Sequence, residues 1–181
     1  MKKAIFLLLF FCSVSYAEPT CKNTKYTLID KSVPFGATTS QAKKIAQKFK
    51  SKGAKIHLQD PLVMVMFEGK PYKNLKTIVY FTVGDRVTRI MFNYSPKFIT
   101  GLGGWALTMK MLLPQMKSKF GFAEDTNVEG EKVQVLWAEN GGASLNIIGK
   151  SSDSSIMLRI DCDSLEAELR QKVSKSTNFG F

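Results

Sequence analysis

The chain has 181 residues and a formal charge of +11, from 26 Lys and Arg against 15 Asp and Glu. With 44% hydrophobic residues and six prolines, it lies outside the compositions of disordered and low-complexity proteins. Past the first residues no stretch approaches eighteen uncharged apolar positions, which excludes a spanning helix there.

The leading residues read as a targeting segment. Met1-Lys2-Lys3 is basic, residues 4–12 are apolar without a break, and Ser15-Tyr16-Ala17 puts small residues three and one before a cut. A signal peptide over 1–17 is therefore expected, with one α+β domain over 18–181 and a periplasmic or secreted destination. Cys12 lies inside the signal, and bulky Phe10-Phe11 before it do not suit a lipid-anchor site. The mature chain keeps Cys21 and Cys162, which an oxidising compartment is expected to join as a structural disulfide.

The predicted elements begin with a short strand at 26–29. Pro34-Phe35-Gly36 breaks the pattern, and Thr38-Thr39-Ser40 offers hydroxyl caps. Ala42, Ile45, Ala46 and Phe49 recur at helical spacing, and Gly53 is a natural stop. Strands follow at 56–59 and 62–67, on either side of Pro61, and Gly69-Lys70-Pro71 turns the chain. The clearest hairpin joins Leu75–Val83 to Arg86–Tyr94 through Gly84-Asp85, a Gly-X loop that suits a type II′ turn. Ser95-Pro96 and Gly101–Gly104 mark a boundary. Met109, Leu112, Leu113, Met116 and Phe120 restore helical spacing, with Pro114 expected to kink that helix or start a second.

Three more strands are expected around Val133–Trp137, Leu145–Ile147 and Ile156–Cys162, with a turn at Asn140-Gly141 and a Ser-rich loop at 151–155. Asp163 and Glu166 form a capping-box-like start for a last helix over 163–175. The order is helix, four strands, helix or helix pair, three strands, helix. It predicts an antiparallel sheet of about seven strands with helices on one face, in two helix-meander repeats over 34–95 and 100–162.

The unit Phe35-Gly36-Ala37-Thr38-Thr39-Ser40-Gln41-Ala42, a helix closed by Gly53 and then a meander, resembles the tandem helix-plus-sheet modules of bacterial envelope proteins. The β-lactamase-inhibitor-protein fold and the small outer-membrane assembly lipoprotein fold are the examples. The second half, with Lys119-Phe120-Gly121 ending its helix and Trp137 in a following strand, is similar in layout. The resemblance covers roughly residues 34 to 162. It implies action by protein–protein contact and carries over no catalytic residue. This chain departs from the lipoprotein members in lacking a usable lipid-anchor cysteine and from the inhibitor members in lacking a second disulfide.

Residues able to do chemistry are sparse. His57 is the single histidine, and no Cys or carboxylate cluster has metal-ligand spacing. No G-x-S-x-G elbow is present, and Gly101-Leu102-Gly103-Gly104 lacks the Gly-Lys-Ser/Thr ending of a phosphate loop. No enzyme activity, cofactor or metal is expected.

Charge placement is the distinctive feature. Residues 18–119 hold 18 basic and 5 acidic residues, a net of +13, while residues 120–181 hold 6 and 10, a net of −4. Lys43, Lys44, Lys48, Lys50, Lys52 and Lys55 crowd the first helix and its exit, with no acid between Lys31 and Asp60. Most lysine runs are simply a solvated face. As a function, this one suggests steering of an acidic envelope or secreted protein, as an adaptor, inhibitor or immunity-type factor. The alternative is an anionic surface, lipid or lipopolysaccharide. Nucleic acid is not expected, because the cations are nearly all Lys and export removes the chain from chromosomal targets. An eight-stranded outer-membrane barrel ending at Phe179 and Phe181 is a further reading. The lysine-rich and capping-box helices argue against it.

Overall fold

The structure, a computed structural model, describes Cys21 and residues 35–68, 74–140 and 143–176. The expected signal segment 1–17, the strand at 26–29, the turn at 69–71, Gly141 and the residues after 176 lie outside that set.

The capping prediction is met at Thr38. Its hydroxyl accepts from the Gln41 amide at 3.1 Å, and the Gln41 side chain accepts from the Thr38 amide at 2.8 Å. This reciprocal pair satisfies two orphan donors and starts helix α1 (Thr39–Lys50). Ala42, Ala46 and Phe49 are its buried stripe, and Gly53, at φ +91°, turns the chain out of it.

Strands β1 (Lys55–Gln59), β2 (Leu62–Met66), β3 (Leu75–Val83) and β4 (Arg86–Tyr94) then form an antiparallel meander. Helices α2 (Pro96–Gly101) and α3 (Trp105–Phe120) lead to a second meander of β5 (Asp125–Glu129), β6 (Lys132–Asn140), β7 (Ala143–Lys150) and β8 (Ser155–Asp161). Helix α4 (Asp163–Ser176) follows. All eight strands join one antiparallel sheet, ordered β1-β2-β3-β4-β8-β7-β6-β5. The fold is α+β, as expected, with one strand more than expected. The meanders meet centre to centre at β4–β8, and the sheet is open, with β1 and β5 at its ends, in contrast to the barrel reading.

Register separates the two faces. One row runs Thr126, Val135, Ile147, Leu158, Phe92, Ile78, Val65 and Ile56 across all eight strands. Its central members are fully buried. The other face runs Asp125, Leu136, Asn146, Arg159, Met91, Val79, Met64 and His57. Period-two alternation thus sends aliphatic residues to one side and a mixture to the other.

Helices α1 and α3 cover the apolar face. Phe49 meets Phe67 edge to face, with centroids 5.7 Å apart. Trp105 lies on β7 where Gly149 leaves room, and Trp137 donates its indole N–H to the Gly121 carbonyl at 2.9 Å. Helix α4 packs across the end of the sheet: Leu165 faces Gly36, while Leu169 and Val173 approach Gly84.

Several local expectations are corrected. Gly84 and Asp85 both have positive φ, 53° and 64°, so the β3–β4 turn has the type I′ signature instead of type II′. Asp tolerates the left-handed region, and I′ matches the twist of the strands. Helix α3 runs through Pro114 as one sixteen-residue helix and does not restart there. Asp163 is the first residue of α4, where its carboxylate accepts from Ser144 at 3.0 Å, and Glu166 turns to arginines. The short helix α2 begins at Pro96, as a proline at the first helical position permits.

Cys21 and Cys162 are bonded, with Cα atoms 5.9 Å apart, and both are buried. The bond closes a separation of 141 residues. Its chain-entropy contribution is about 4–5 kcal/mol. Changing both cysteines to Ser is expected to lower unfolding free energy by up to about that amount in urea titration. Mass analysis without reductant should find two hydrogens fewer than the free-thiol mass, and labelling of both thiols in the native protein would refute the bond. A Cβ at Gly149 would fall 2.9–3.1 Å from the Trp105 indole. Gly149→Ala should therefore displace that ring, red-shift tryptophan emission and cost about 1–3 kcal/mol.

Candidate functional site

The lysine cluster is arranged by α1. With Ala42, Ala46 and Phe49 turned to the sheet, Lys44, Lys48 and Lys50 are exposed on the helix, Lys52 is exposed just beyond it, and Lys43 is half-buried. None of these five is ion-paired with a described acidic residue. Lys55 stands apart from them. It opens β1 on the face away from α1 and pairs with Glu68 at 2.7 Å. The basic helix face is thus built from five of the six lysines singled out in the sequence.

Two hollows flank the first turns of α1. One, of about 570 Å³, is lined by Phe35, Ala37 and Ile45, with Gln41, Lys44 and Arg86 around them. Arg86 is pinned there by a 3.0 Å hydrogen bond from Nη1 to the Gly36 carbonyl. Both cations are exposed. The second, of about 600 Å³, gathers Lys43 with Asp60 and Asp85 beside Leu58 and Leu62. Its charges are mixed, and Asp85 also accepts from the Thr39 amide at 3.2 Å. Of these two, the first sets cations over an apolar floor with no acid in its lining. Such a combination suits a ligand that is both apolar and anionic. Sequence reasoning missed Arg86 and Phe35 as partners of Lys44. The chain returns through the Thr38–Arg86 bridge to bring them together, and local periodicity carries no sign of it.

A charged network lies on the other face, at the β4–β8 seam. Asp161 is buried and accepts from Arg89 Nε and, at 2.7 Å, from Arg159 Nε. Arg89 Nη2 reaches Glu166 at 3.5 Å, and Glu166 binds Arg170 at 2.7 Å. Burial opposes the charge on Arg89, but the Asp161 hydrogen bond and charge, with Glu166 and Asp163, lift its pKa above the ordinary arginine value. The guanidinium stays ionised and the cluster acts as a clasp. His57 is exposed on β1, opposite Met64. The Ser151–Ser154 segment turns β7 into β8, as expected for a Ser-rich loop.

Removing the buried carboxylate should leave two half-buried guanidiniums without their shared acceptor. Asp161→Asn is expected to destabilise the fold by about 3 kcal/mol in denaturant titration. A change within 0.5 kcal/mol, the usual range for surface sites, would show that the clasp is dispensable. No protein family, curated protein or solved structure matches this chain.

Proposed function

We propose that this protein is an exported, non-enzymatic binding module that holds an acidic envelope or secreted protein, as an adaptor, inhibitor or immunity-type factor. The observation that carries this reading is the hollow beside α1, where Lys44 and Arg86 rim a floor of Phe35, Ala37 and Ile45. A merely solvated lysine face needs no such floor. An acidic segment with an apolar anchor would fill it, burying the anchor while the lysines of α1 steer the approach. The disulfide is compatible with export, and the basic-to-acidic division of the chain gives the field a direction.

A second reading has its own support. Five lysines without described acidic partners on and just after one helix suit an anionic surface, each contributing about 1 kcal/mol near such a lipid. One experiment separates the two. The wild-type protein and a Lys44→Glu, Arg86→Glu variant are recovered from the periplasm at low salt, and co-purifying proteins are identified and quantified. Binding at the hollow predicts a stoichiometric acidic partner, with affinity for the variant lower by about tenfold or more. A partner retained equally by the variant would sink that site. Absence of any partner, with retention on acidic liposomes that Lys43→Gln, Lys44→Gln and Lys48→Gln together abolish, would establish the second reading.

A further inference from the structure

The two outer strands of the sheet are complementary to each other. Each has a single paired neighbour among the described strands, β1 through β2 and β5 through β6. Every strand is antiparallel to the next and there are eight of them, so β1 and β5 run in opposite directions. A second copy laid beside the first in the same orientation therefore presents its β1 to the first copy's β5 as an antiparallel pair. The helix-covered faces then stay on the same side.

The residues match position by position. Aligning Lys55–Gln59 with Asp125–Glu129 sets Lys55 against Glu129 and Gln59 against Asp125 on one face. On the helix side it sets Ile56 against Val128 and Leu58 against Thr126. These assignments follow the parity that register already fixes for β1 and β5. Leu58 and Val128, 53% and 64% exposed, would become diagonal neighbours. Asp125 and Glu129 have no ion pair with a described residue, and Lys55 needs only to exchange the exposed Glu68.

Charged edges often serve to prevent strand addition. Here they discriminate instead. Pairing β5 with another β5 would set Asp125 against Glu129, like against like, whereas β1 with β5 sets cation against anion. The wider field agrees, since the basic half of the chain carries β1 and the acidic portion carries β5.

We infer that the protein associates with itself head to tail, the β1 edge of one copy adding to the β5 edge of the next to continue the sheet. The partner is thus a second copy of this chain. The contact is heterologous, so it propagates into short filaments unless the rotation closes a ring. It is independent of the hollow beside α1.

Sedimentation velocity on the full mature chain over rising concentration is the test. Wild type should show concentration-dependent assembly that weakens with salt. Lys55→Glu alone should lose it, and so should Asp125→Lys with Glu129→Lys, by about tenfold or more in association. Mixing these two variants restores opposite charges at both contacts and should restore assembly. A wild type that stays monomeric, assembly indifferent to the reversals, or a mixture that stays monomeric would each overturn the pairing. As a second readout, Leu58→Cys with Thr126→Cys should oxidise to a ladder of multimers. Gln59→Cys with Thr126→Cys, whose thiols fall on opposite faces, should not, and equal ladders from both would also overturn it.

Discussion

Everything else in this structure depends on one strand pairing, β4 with β8. Each meander is built from neighbours in sequence and could form locally, but four strands with one apolar face leave that face half covered. Joining at β4–β8 places Ile90 against Ile160 and Phe92 against Leu158, and a single apolar layer then extends under both helices. The same pairing sets Arg89 across from Asp161 on the far side. The seam is therefore held by aliphatic contact on one face and by a buried charge clasp on the other. Immediately beyond it, Cys162 ties the seam to Cys21. A long-range pairing of this kind closes late and at high entropic cost, which explains why three kinds of interaction converge on it.

Local chemistry made much of the architecture legible. The Thr38 cap, the stripe of Ala42, Ala46 and Phe49, and the alternating strands around Gly84-Asp85 are short-range patterns whose physics acts within a few residues. What escaped has a common cause. Strand β5 reads Asp-Thr-Asn-Val-Glu and is exposed along its whole length, so as an edge strand it has no apolar alternation to announce it. The left-handed Asp85 is set by strand twist, which a Gly-Asp pair does not specify. Pro114 removes one helical hydrogen bond, and packing of Met109, Met116 and Phe120 on either side of it keeps α3 continuous.

The candidate site divides in the same way. The lysines of α1 were readable because one helix presents them together. Lys55 was grouped with them by proximity in sequence, and one strand's parity moved it to the opposite face. Arg86 joins Lys44 only because the chain returns beside α1 some forty positions later, through the hydrogen bond from Gly36 to the Val87 carbonyl. Asp161 takes a polar position in the alternation of β8, and only the register with Arg89 makes it a buried acceptor. Periodicity predicts which side a residue faces, but not which distant residue meets it there.

The covalent tie has a mechanical meaning as well. The loop between Cys21 and Cys162 contains all eight strands and helices α1 to α3. A pull on the segment before Cys21 passes directly through the sulfur atoms to the end of β8, bypassing α1 and the first meander. Tension applied there cannot peel the strands away one at a time, since each lies inside a closed ring of chain. Among the described elements α4 alone lies outside that ring, so under load it is the one free to detach while the sheet stays intact.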